Sequence, residues 1–363
     1  MKLQVTQENL NKALGSVSRV ASTRSTLPVL ANVLIKTSNN LLTISATNLN
    51  IAITHSIGAK VSKEGSITVP ARLMQDFIAS LPPSVIDLEL EGTKLKITSD
   101  KYNSVINGII SDDYPVMPSI ESNKHFKIDS SKLKEALSQV IFAASNDETR
   151  PILTGVLFIS SDEKLYLAAT DSYRLAEKEI MKTDKKINLL IPASSMHDLL
   201  RLLPDTSDSV EIFYDDNQVK FIVGEIELLT RLLSGTYPDY KKLIPTKFKT
   251  KAVLKKADLL NIVKVSALFA RENAGSVKIE VSSDDNSLSI KSIASQIGEN
   301  SASADAKTTG DGDITLNSRY MIDALNAMTG DEIEFGFNDK LEPTLLSDPA
   351  KKDYAHIIMP LKS

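Results

Sequence analysis

The sequence predicts an α+β protein made of three repeated modules, each with two helices packed on antiparallel sheet. Similar segments recur in the same order at spacings of 121 to 126 residues, and the length of 363 residues is three such spacings. Apolar residues follow a helical period in two segments of each repeat. The strand-like runs follow one another without a helix between each pair, which favours antiparallel over doubly wound parallel sheet.

The first predicted helix of each module lies in one of three aligned segments. These are LQVTQENLNKALGSVSRVAS from Leu3, FKIDSSKLKEALSQVIFAAS from Phe126 and AVLKKADLLNIVKVSALFAR from Ala252. The corresponding apolar positions are Leu10, Leu133 and Leu259, followed by Leu14, Leu137 and Val263. This spacing places an apolar stripe along each helix.

A strand, a short loop and the second helix form the next shared pattern. It is read in ITVPARLMQDFIASLP from Ile67, LLIPASSMHDLLRLLP from Leu189 and ITLNSRYMIDALNAMT from Ile314. The methionines Met74, Met196 and Met321 correspond, as do Asp76, Asp198 and Asp323. Each module therefore repeats helix, strands, helix, strands.

Strand pairing and module limits follow from local patterns. Ile86 to Glu91 and Leu95 to Thr98 alternate apolar and polar residues around a short turn, which predicts a hairpin with one wet face. Stretches that contain Pro and Lys give predicted modules at 1–121, 122–247 and 248–363. Residues 295–313, with the run Gly310 to Asp313, are predicted to form a hairpin loop.

The composition excludes several kinds of chemistry. The chain has no Cys, which excludes disulfides, Cys-ligated zinc and thiol nucleophiles, and it lacks the glycine motifs that bind phosphates. Its start has no secretion signal, and no segment is long and apolar enough to span a membrane. We therefore expect a cytoplasmic protein that has no membrane partner, no metal and no other cofactor.

Two alternatives remain open from the residues alone. The acidic pairs at Asp112, Asp215 and Asp284 are compatible with a hydrolase active site between modules, although carboxylates beside turn residues more often cap solvated turns. A scaffold of three β-rich modules that does not bind nucleic acid is the other alternative.

Charge is unevenly distributed along the chain. The formal net charge is −4. Predicted helices at Gln7 to Ser22 and Lys255 to Arg271 carry +1 and +3, while the other four helices are neutral, so the remainder carries −8. A basic helical surface is compatible with a polyanionic partner despite the acidic total.

Four motifs give the chain a specific resemblance. They are Thr26-Leu27-Pro28-Val29-Leu30, Ala169-Thr170-Asp171-Ser172-Tyr173-Arg174-Leu175-Ala176, Gly235-Thr236-Tyr237-Pro238-Asp239-Tyr240 and the terminal Met359-Pro360-Leu361. Together with the triplication, they closely resemble the bacterial DNA polymerase III beta subunits, the sliding clamps. The resemblance extends from Met1 to Ser363.

This resemblance implies the DNA clamp fold and a head-to-tail homodimer in which six modules close a ring. Twelve helices about 9 Å apart would enclose a hole of about 24 Å, wide enough for duplex DNA. The implied role is that of a processivity factor, not an enzyme. The implied partners are double-stranded DNA, the polymerase III catalytic subunit, the clamp loader and other proteins with clamp-binding peptides.

The resemblance also implies site residues. Arg24 and Arg72 match positions that contact DNA, whereas Pro151 and Ile152 occupy places where the family pattern has two DNA-contacting aromatic residues. Leu268 and Phe269 match the subunit interface. The partner-peptide pocket, with Arg174 at its rim, would comprise Leu153, Thr170, Ser172, Tyr173, Arg174, Leu175, Pro238, Lys242, Leu243, Asn317, Tyr320, Pro343, Ile357, Met359, Pro360 and Leu361.

Overall fold

A computed structural model describes residues 1–21, 27–120, 122–294 and 298–361. The chain forms two compact units. Unit 1 contains Met1–Ser131 and Arg201–Leu232, and unit 2 contains Lys132–Leu200 and Leu233–Ser363. No helix in the described part of the chain is long and apolar enough to cross a membrane.

The first third of the chain has two helices among nine strands. In order, the elements are β1 (Lys2–Thr6), α1 (Gln7–Val17), β2 (Asn32–Ser38), β3 (Leu41–Thr47), β4 (Ile51–Gly58), β5 (Lys60–Lys63), β6 (Gly65–Pro70), α2 (Ala71–Ser80), β7 (Val85–Glu91), β8 (Lys94–Ser99) and β9 (Tyr102–Asn107). Helix α1 begins where the Thr6 side chain accepts a hydrogen bond from the Asn9 amide, and it buries Leu10 and Leu14.

The middle third repeats this order with one strand fewer. Its elements are β10 (His125–Asp129), α3 (Ser130–Val140), β11 (Gly155–Ser161), β12 (Lys164–Thr170), β13 (Arg174–Lys182), β14 (Asn188–Pro192), α4 (Ala193–Leu202), β15 (Ser209–Tyr214), β16 (Gln218–Val223) and β17 (Ile226–Arg231). A short 3-10 helix at Pro151–Thr154 precedes β11.

The last third repeats the order again. Its elements are β18 (Thr250–Lys255), α5 (Lys256–Phe269), β19 (Ser276–Ser282), β20 (Ser287–Ala294), β21 (Gly298–Asp305), β22 (Lys307–Thr309), β23 (Gly312–Asn317), α6 (Ser318–Ala327), β24 (Glu332–Phe337), β25 (Thr344–Ser347) and β26 (Tyr354–Ile358). Helix α6 begins at Asn317, whose side chain accepts from the Arg319 amide at 2.9 Å.

Each unit contains two antiparallel sheets. Unit 1 has a five-stranded sheet in the order β5-β1-β7-β8-β9 and an eight-stranded sheet in the order β10-β15-β16-β17-β4-β3-β2-β6. Unit 2 has a nine-stranded sheet, β14-β11-β12-β13-β26-β25-β24-β18-β22, and a four-stranded sheet, β21-β20-β19-β23. The predicted α+β class with antiparallel sheet is confirmed.

Some local predictions are confirmed and others are wrong. The hairpin is present, with Glu91 opposite Lys94 and Gly92 in the turn at a φ of 61°. The loop predicted over 295–313 is wrong for most of its length, because residues 298–305 form β21 beside β20, residues 307–309 form β22 and β23 begins at Gly312. The polar sequence of β21 has no apolar alternation that would indicate an edge strand. Residues 295–297 lie outside the described residues.

The helices are also shorter than predicted, which changes the distribution of charge. Arg19 lies beyond α1, Lys255 precedes α5 and Arg271 follows it. Within the observed bounds, α3 and α5 carry +1 each and the other four helices are neutral. The summed charge of the six helices is therefore +2, not the predicted +4.

The three-module division remains a prediction. The two compact units divide the middle third, because β10 and β15–β17 belong to the eight-stranded sheet of unit 1 while β11–β14 belong to the nine-stranded sheet of unit 2. The boundary between the two compact units is therefore set by which strands share a sheet, and not by the sequence repeat.

Candidate functional site

The predicted pocket residues lie in unit 2, around an apolar cluster. Leu175 and Ile357 are opposite one another on β13 and β26, and both are almost fully buried. They belong to a cluster with Leu157, Ala168, Leu190 and Tyr240. Partly buried apolar side chains pack on this cluster: Ile152, Ile159, Leu233, Tyr237, Ile244 and Leu345. This arrangement provides an apolar floor with half-buried walls.

The loop between β12 and β13 is held by its own side chains. Thr170 Oγ1 donates to the Arg174 carbonyl at 2.6 Å and accepts from the Ser172 amide at 3.1 Å. Asp171 Oδ1 accepts from the amides of Tyr173 and Arg174 at 2.9 and 3.0 Å. Ser172 has a φ of 80°, and Tyr173 is 57% exposed. The loop is therefore fixed and presents an aromatic ring to solvent.

Arg174 lies inside this structure and not at its rim, which corrects the prediction. Its side chain is 12% exposed. The guanidinium donates to Asp171 at 3.0 Å, to Asp323 at 2.6 Å and to the Phe142 carbonyl at 2.7 Å. It also lies 4.7 Å from the centre of the Tyr320 ring. Arg174 therefore joins the loop to α6 and offers no free charge to a ligand.

The C-terminal segment is attached to the same loop. Strand β26 ends at Ile358, and the Met359 amide donates to the Tyr173 carbonyl at 2.8 Å. The Leu361 amide donates to the Thr315 carbonyl at 2.8 Å. Met359, Pro360 and Leu361 are each half-buried. These apolar residues are thus held beside the Tyr173 backbone and remain partly accessible.

The remaining predicted pocket residues have varied surroundings. Leu153 is buried in the 3-10 helix that precedes β11, and Asn317 caps α6. Pro343 is half-buried beside β25, while Pro238 is exposed. Lys242 is exposed and paired with Asp239 at 2.6 Å, and the neighbouring Leu243 is 49% exposed. Tyr320 lies in α6 and Asn317 is the residue that caps it, so this helix contributes to the predicted set.

Sequence reasoning missed several contributors. Asp171 could have been found, because it is three residues before Arg174 in a turn-like run. Asp323 and Phe142 could not have been, since nothing in the sequence links them to Arg174. Tyr240 was indicated only in part, because it belongs to the same sequence motif as the predicted pocket residue Pro238.

Burial moves the pKa values of the aromatic and imidazole groups of this region further from neutral pH. It raises the pKa values of Tyr237 and Tyr240 and, to a smaller degree, that of Tyr320. Burial, followed by the Arg174 charge, lowers the pKa of His356 from 6.5 to about 3. His356 is fully buried on β26 and stays uncharged at neutral pH.

Of the predicted DNA-contact and interface residues, three lie in the described part of the chain. Arg72 is exposed at the start of α2, whereas Arg24 lies outside the described residues. Leu268 is 54% exposed and Phe269 is half-buried at the end of α5, so Leu268 is not a core residue.

The acidic pairs form no metal site. In the described part of the chain, no group of three or more His, Cys, Asp or Glu residues is placed to hold a metal ion. Asp215 instead accepts from the amides of Asn217 and Gln218, both at 2.8 Å, as a turn residue does.

Family models cover the chain in three consecutive parts. Residues 1–118 match the N-terminal domain of the DNA polymerase III beta subunit, residues 127–239 the central domain and residues 241–362 the C-terminal domain. The chain therefore belongs to the DNA polymerase III beta subunit family. Such subunits are accessory to the polymerase and are not catalytic.

Relatives with curated names and solved structures agree with this assignment. The beta sliding clamp of Staphylococcus epidermidis is 30% identical, with all of both chains covered. The DNA polymerase sliding clamp of Bacillus subtilis has a TM-score of 0.95 at 29% identity, covering 100% of this chain and 99% of that one. A Pseudomonas aeruginosa sliding clamp bound to griselimycin has a TM-score of 0.95 at 25% identity, with both chains fully covered.

Proposed function

We propose that this chain is a sliding clamp for the replicative DNA polymerase. Two copies join head to tail and close around duplex DNA, and partner proteins bind through short peptides in the unit 2 pocket. The clamp works on the chromosome in the bacterial cytoplasm. The main support for the dimer is a pattern of strand pairing between consecutive repeats. It occurs twice within the chain, and its third instance would require a second copy.

The pattern joins the sheets of consecutive repeats. Strand β4 of the first third pairs with β17, the last strand of the middle third. Strand β13 of the middle third pairs in the same way with β26, the last strand of the final third. The next pair in this series would be β21 with β9. Both are edge strands of their sheets in the described part of the chain, so a second copy can supply the missing partner.

The register of this pairing follows from aligned rows of residues. In the first repeat, one row of neighbouring residues across β6, β2, β3 and β4 is Val69, Val33, Ala46 and Ile53. The equivalent row in the second repeat is Ile191, Val156, Ala169 and Ala176. In the third repeat it is Leu316, Val277, Ser292 and Asn300. A second row crosses the strands that follow the second helix of each repeat. It ends on the last strand, at Ser104 in the first repeat, Leu228 in the second and His356 in the third. Ile53 faces Leu228 and Ala176 faces His356. Asn300 should therefore face Ser104 of a second copy.

Exposed apolar side chains at both edges support an interface there. Helix α5 packs against β20 and β21, and it exposes Val265 and Leu268. Ile293 on β20 is 62% exposed, and Val105 on β9 is 58% exposed. Since exposed apolar residues cluster at interaction sites, these residues fit a subunit contact that includes the predicted Leu268 and Phe269.

The pocket suits an extended peptide with apolar anchors. The buried pair Leu175 and Ile357 forms its floor, and Met359 and Leu361 are partly accessible beside it. Apolar side chains of a bound peptide would be desolvated there, which is the main source of affinity in such grooves. The griselimycin-bound relative indicates that clamps of this fold also hold ligands other than DNA. The polymerase catalytic subunit and the clamp loader are the expected partners.

DNA contact would depend on scattered positive charge. Arg72 is exposed on α2, and Arg24 is the second proposed contact. The helices carry only +2 per chain within their observed bounds. A weak positive field attracts phosphates without fixing the protein at one place, as sliding requires.

The chain offers a direct test of the dimer because it has no native Cys. The double variant Ser104→Cys with Asn300→Cys should form disulfide-linked dimers under mild oxidation. Residues that face each other across antiparallel strands have Cα atoms about 4.5 to 5.5 Å apart, within the range that a disulfide bridges. A non-reducing gel measures the linked fraction.

The matched control moves one cysteine by a single position. In Ser104→Cys with Ser301→Cys, the second thiol lies on the opposite face of the strand, so linkage should be weak. Equal linkage in both variants, or none in either, would contradict the proposed pairing.

A further inference from the structure

A second concave site lies within unit 1. It is a cavity of about 530 Å³, which is in the range of ligand sites. Its lining comprises Thr47, Asn48, Leu49, Asn50, Ile51, Ala52, Pro115, Val116, Pro118, Gln218, Leu229 and Arg231. None of these residues belongs to the pocket described above.

The loop at this cavity is built like the loop at the unit 2 pocket. Thr47 Oγ1 donates to the Ile51 carbonyl at 2.9 Å and accepts from the Leu49 amide at 3.0 Å. Asn48 Oδ1 accepts from the amides of Asn50 and Ile51, both at 3.0 Å. Leu49 has a φ of 75°. Each of these features has a counterpart between Thr170 and Arg174.

The segment that leaves the sheet is also attached in the same way. The Arg231 amide donates to the Asn50 carbonyl at 3.1 Å, as the Met359 amide donates to the Tyr173 carbonyl. Leu229 is buried at the position that Ile357 occupies in the other pocket. The repeat therefore reproduces the loop geometry of the unit 2 pocket at this second site.

The chemistry of the two sites differs in charge. Asn48 replaces Asp171 and Ile51 replaces Arg174, so this loop lacks the ion pair of the unit 2 loop, while Arg231 replaces Met359 and adds one cation to the site. Arg231 is the only charged side chain in the lining, and it has no side-chain hydrogen bond or ion pair among the described residues. Next to it, Leu49 is 49% exposed and Val116 is 94% exposed.

We propose that this cavity binds an extended acidic peptide. An aliphatic side chain of the peptide packs against Leu49 and Val116, and a neighbouring carboxylate pairs with the Arg231 guanidinium. The peptide class is inferred from the proposed role of the unit 2 pocket, while the selection for negative charge depends on Arg231 alone. Partners with two linked motifs would gain affinity by occupying both sites.

The test follows Leu and Val methyl signals of the full-length protein by NMR during titration. The probe is the acetylated and amidated peptide Leu-Asp-Leu-Asp, and its matched control is Leu-Lys-Leu-Lys. We expect saturable shifts of the Leu49 and Val116 methyls with the acidic peptide only. The Leu175 methyls report the unit 2 pocket separately, so failure of one site is distinguished from failure of the other.

Charge reversal tests the assignment of Arg231. In Arg231→Glu, the affinity for the acidic peptide should fall at least about tenfold, while the lysine peptide should gain affinity. Since Arg231 is exposed, the variant should keep the amide spectrum of β4 and β17. The proposal is overturned if the Leu49 and Val116 methyls do not respond to the acidic peptide. It is equally overturned if Arg231→Glu binds both peptides as the unchanged protein does.

Discussion

Arg174 on β13 donates to the carboxylate of Asp323 on α6 across 2.6 Å, although 149 residues separate the two in sequence. The same guanidinium holds Asp171 and the Phe142 carbonyl. One buried cation therefore fixes the loop that carries Tyr173 to two other elements of unit 2. The pocket depends on Arg174 for its shape, even though Arg174 presents no free charge.

Arg174→Ala should therefore weaken both the fold of unit 2 and peptide binding. Removal of one partner of a buried ion pair costs about 3 to 5 kcal/mol, and the low end applies here, because Asp171 keeps two backbone amide donors and the Asp323 side chain is 34% exposed. We expect the affinity for a polymerase tail peptide to fall at least about tenfold, since a loosened loop must be ordered on binding. Urea unfolding and fluorescence anisotropy measure the two effects.

Arg150→Ala is the matched control for this prediction. Arg150 also contacts the loop, donating to Ser172 at 3.1 Å, but its side chain is 44% exposed. Surface pairs of this kind contribute about 0 to 1 kcal/mol. Equal losses in the two variants would show that burial of Arg174 is not the cause.

Deletion of Met359 to Ser363 should abolish peptide binding and leave the dimer intact. The deletion starts after β26 ends at Ile358, so it removes no pair from the β13–β26 ladder. It removes the apolar residues attached to the Tyr173 and Thr315 carbonyls. Anisotropy with the tail peptide and sedimentation velocity check the two expectations. Unchanged peptide affinity would show that these residues do not form the pocket.

His356 should make the protein less stable in mild acid. The folded state keeps this histidine neutral down to about pH 3, whereas the unfolded chain protonates it near pH 6.5. As the pH falls from 6.5 towards 3, the unfolded state binds more protons, so the free energy of unfolding decreases. The loss is about 1.4 kcal/mol for each pH unit.

His356→Phe should flatten this dependence. The side chain is fully buried and stacks on Phe142, and its Nε2 atom has no hydrogen-bond partner among the described residues. Urea unfolding at pH 7 and pH 5 measures the change for this variant and for His125→Phe, which alters an exposed histidine. If both variants kept the slope of the unchanged protein, burial of His356 would not explain it.

The repeat could be predicted from the sequence because it preserves apolar spacing. Met74, Met196 and Met321 are all fully buried on their helices, as a shared pattern predicts. Strand β21 could not be predicted, because its residues Gly298 to Asp305 alternate among small and polar types without an apolar face. Such a strand is recognised by its neighbour β20 and not by its own composition.

The candidate site shows the same limit. Leu175, Ile357 and the terminal apolar residues were predictable from motifs, and the structure brings them together. The burial of Arg174 was not, since it depends on contacts with Asp323 and Phe142 that local sequence does not encode. Helix ends were also missed, because Arg19 and Arg271 continue a helical pattern after the backbone has left the helix.

Retention on circular DNA distinguishes a closed ring from a protein that is held only by phosphate contacts. The protein is loaded onto nicked circular duplex with its clamp loader, and the bound fraction is measured at high salt before and after the circle is cut once. A closed ring is held by topology and not by phosphate contacts, so it should remain on the circle and leave the linear DNA. Equal loss from circular and linear DNA would contradict the ring.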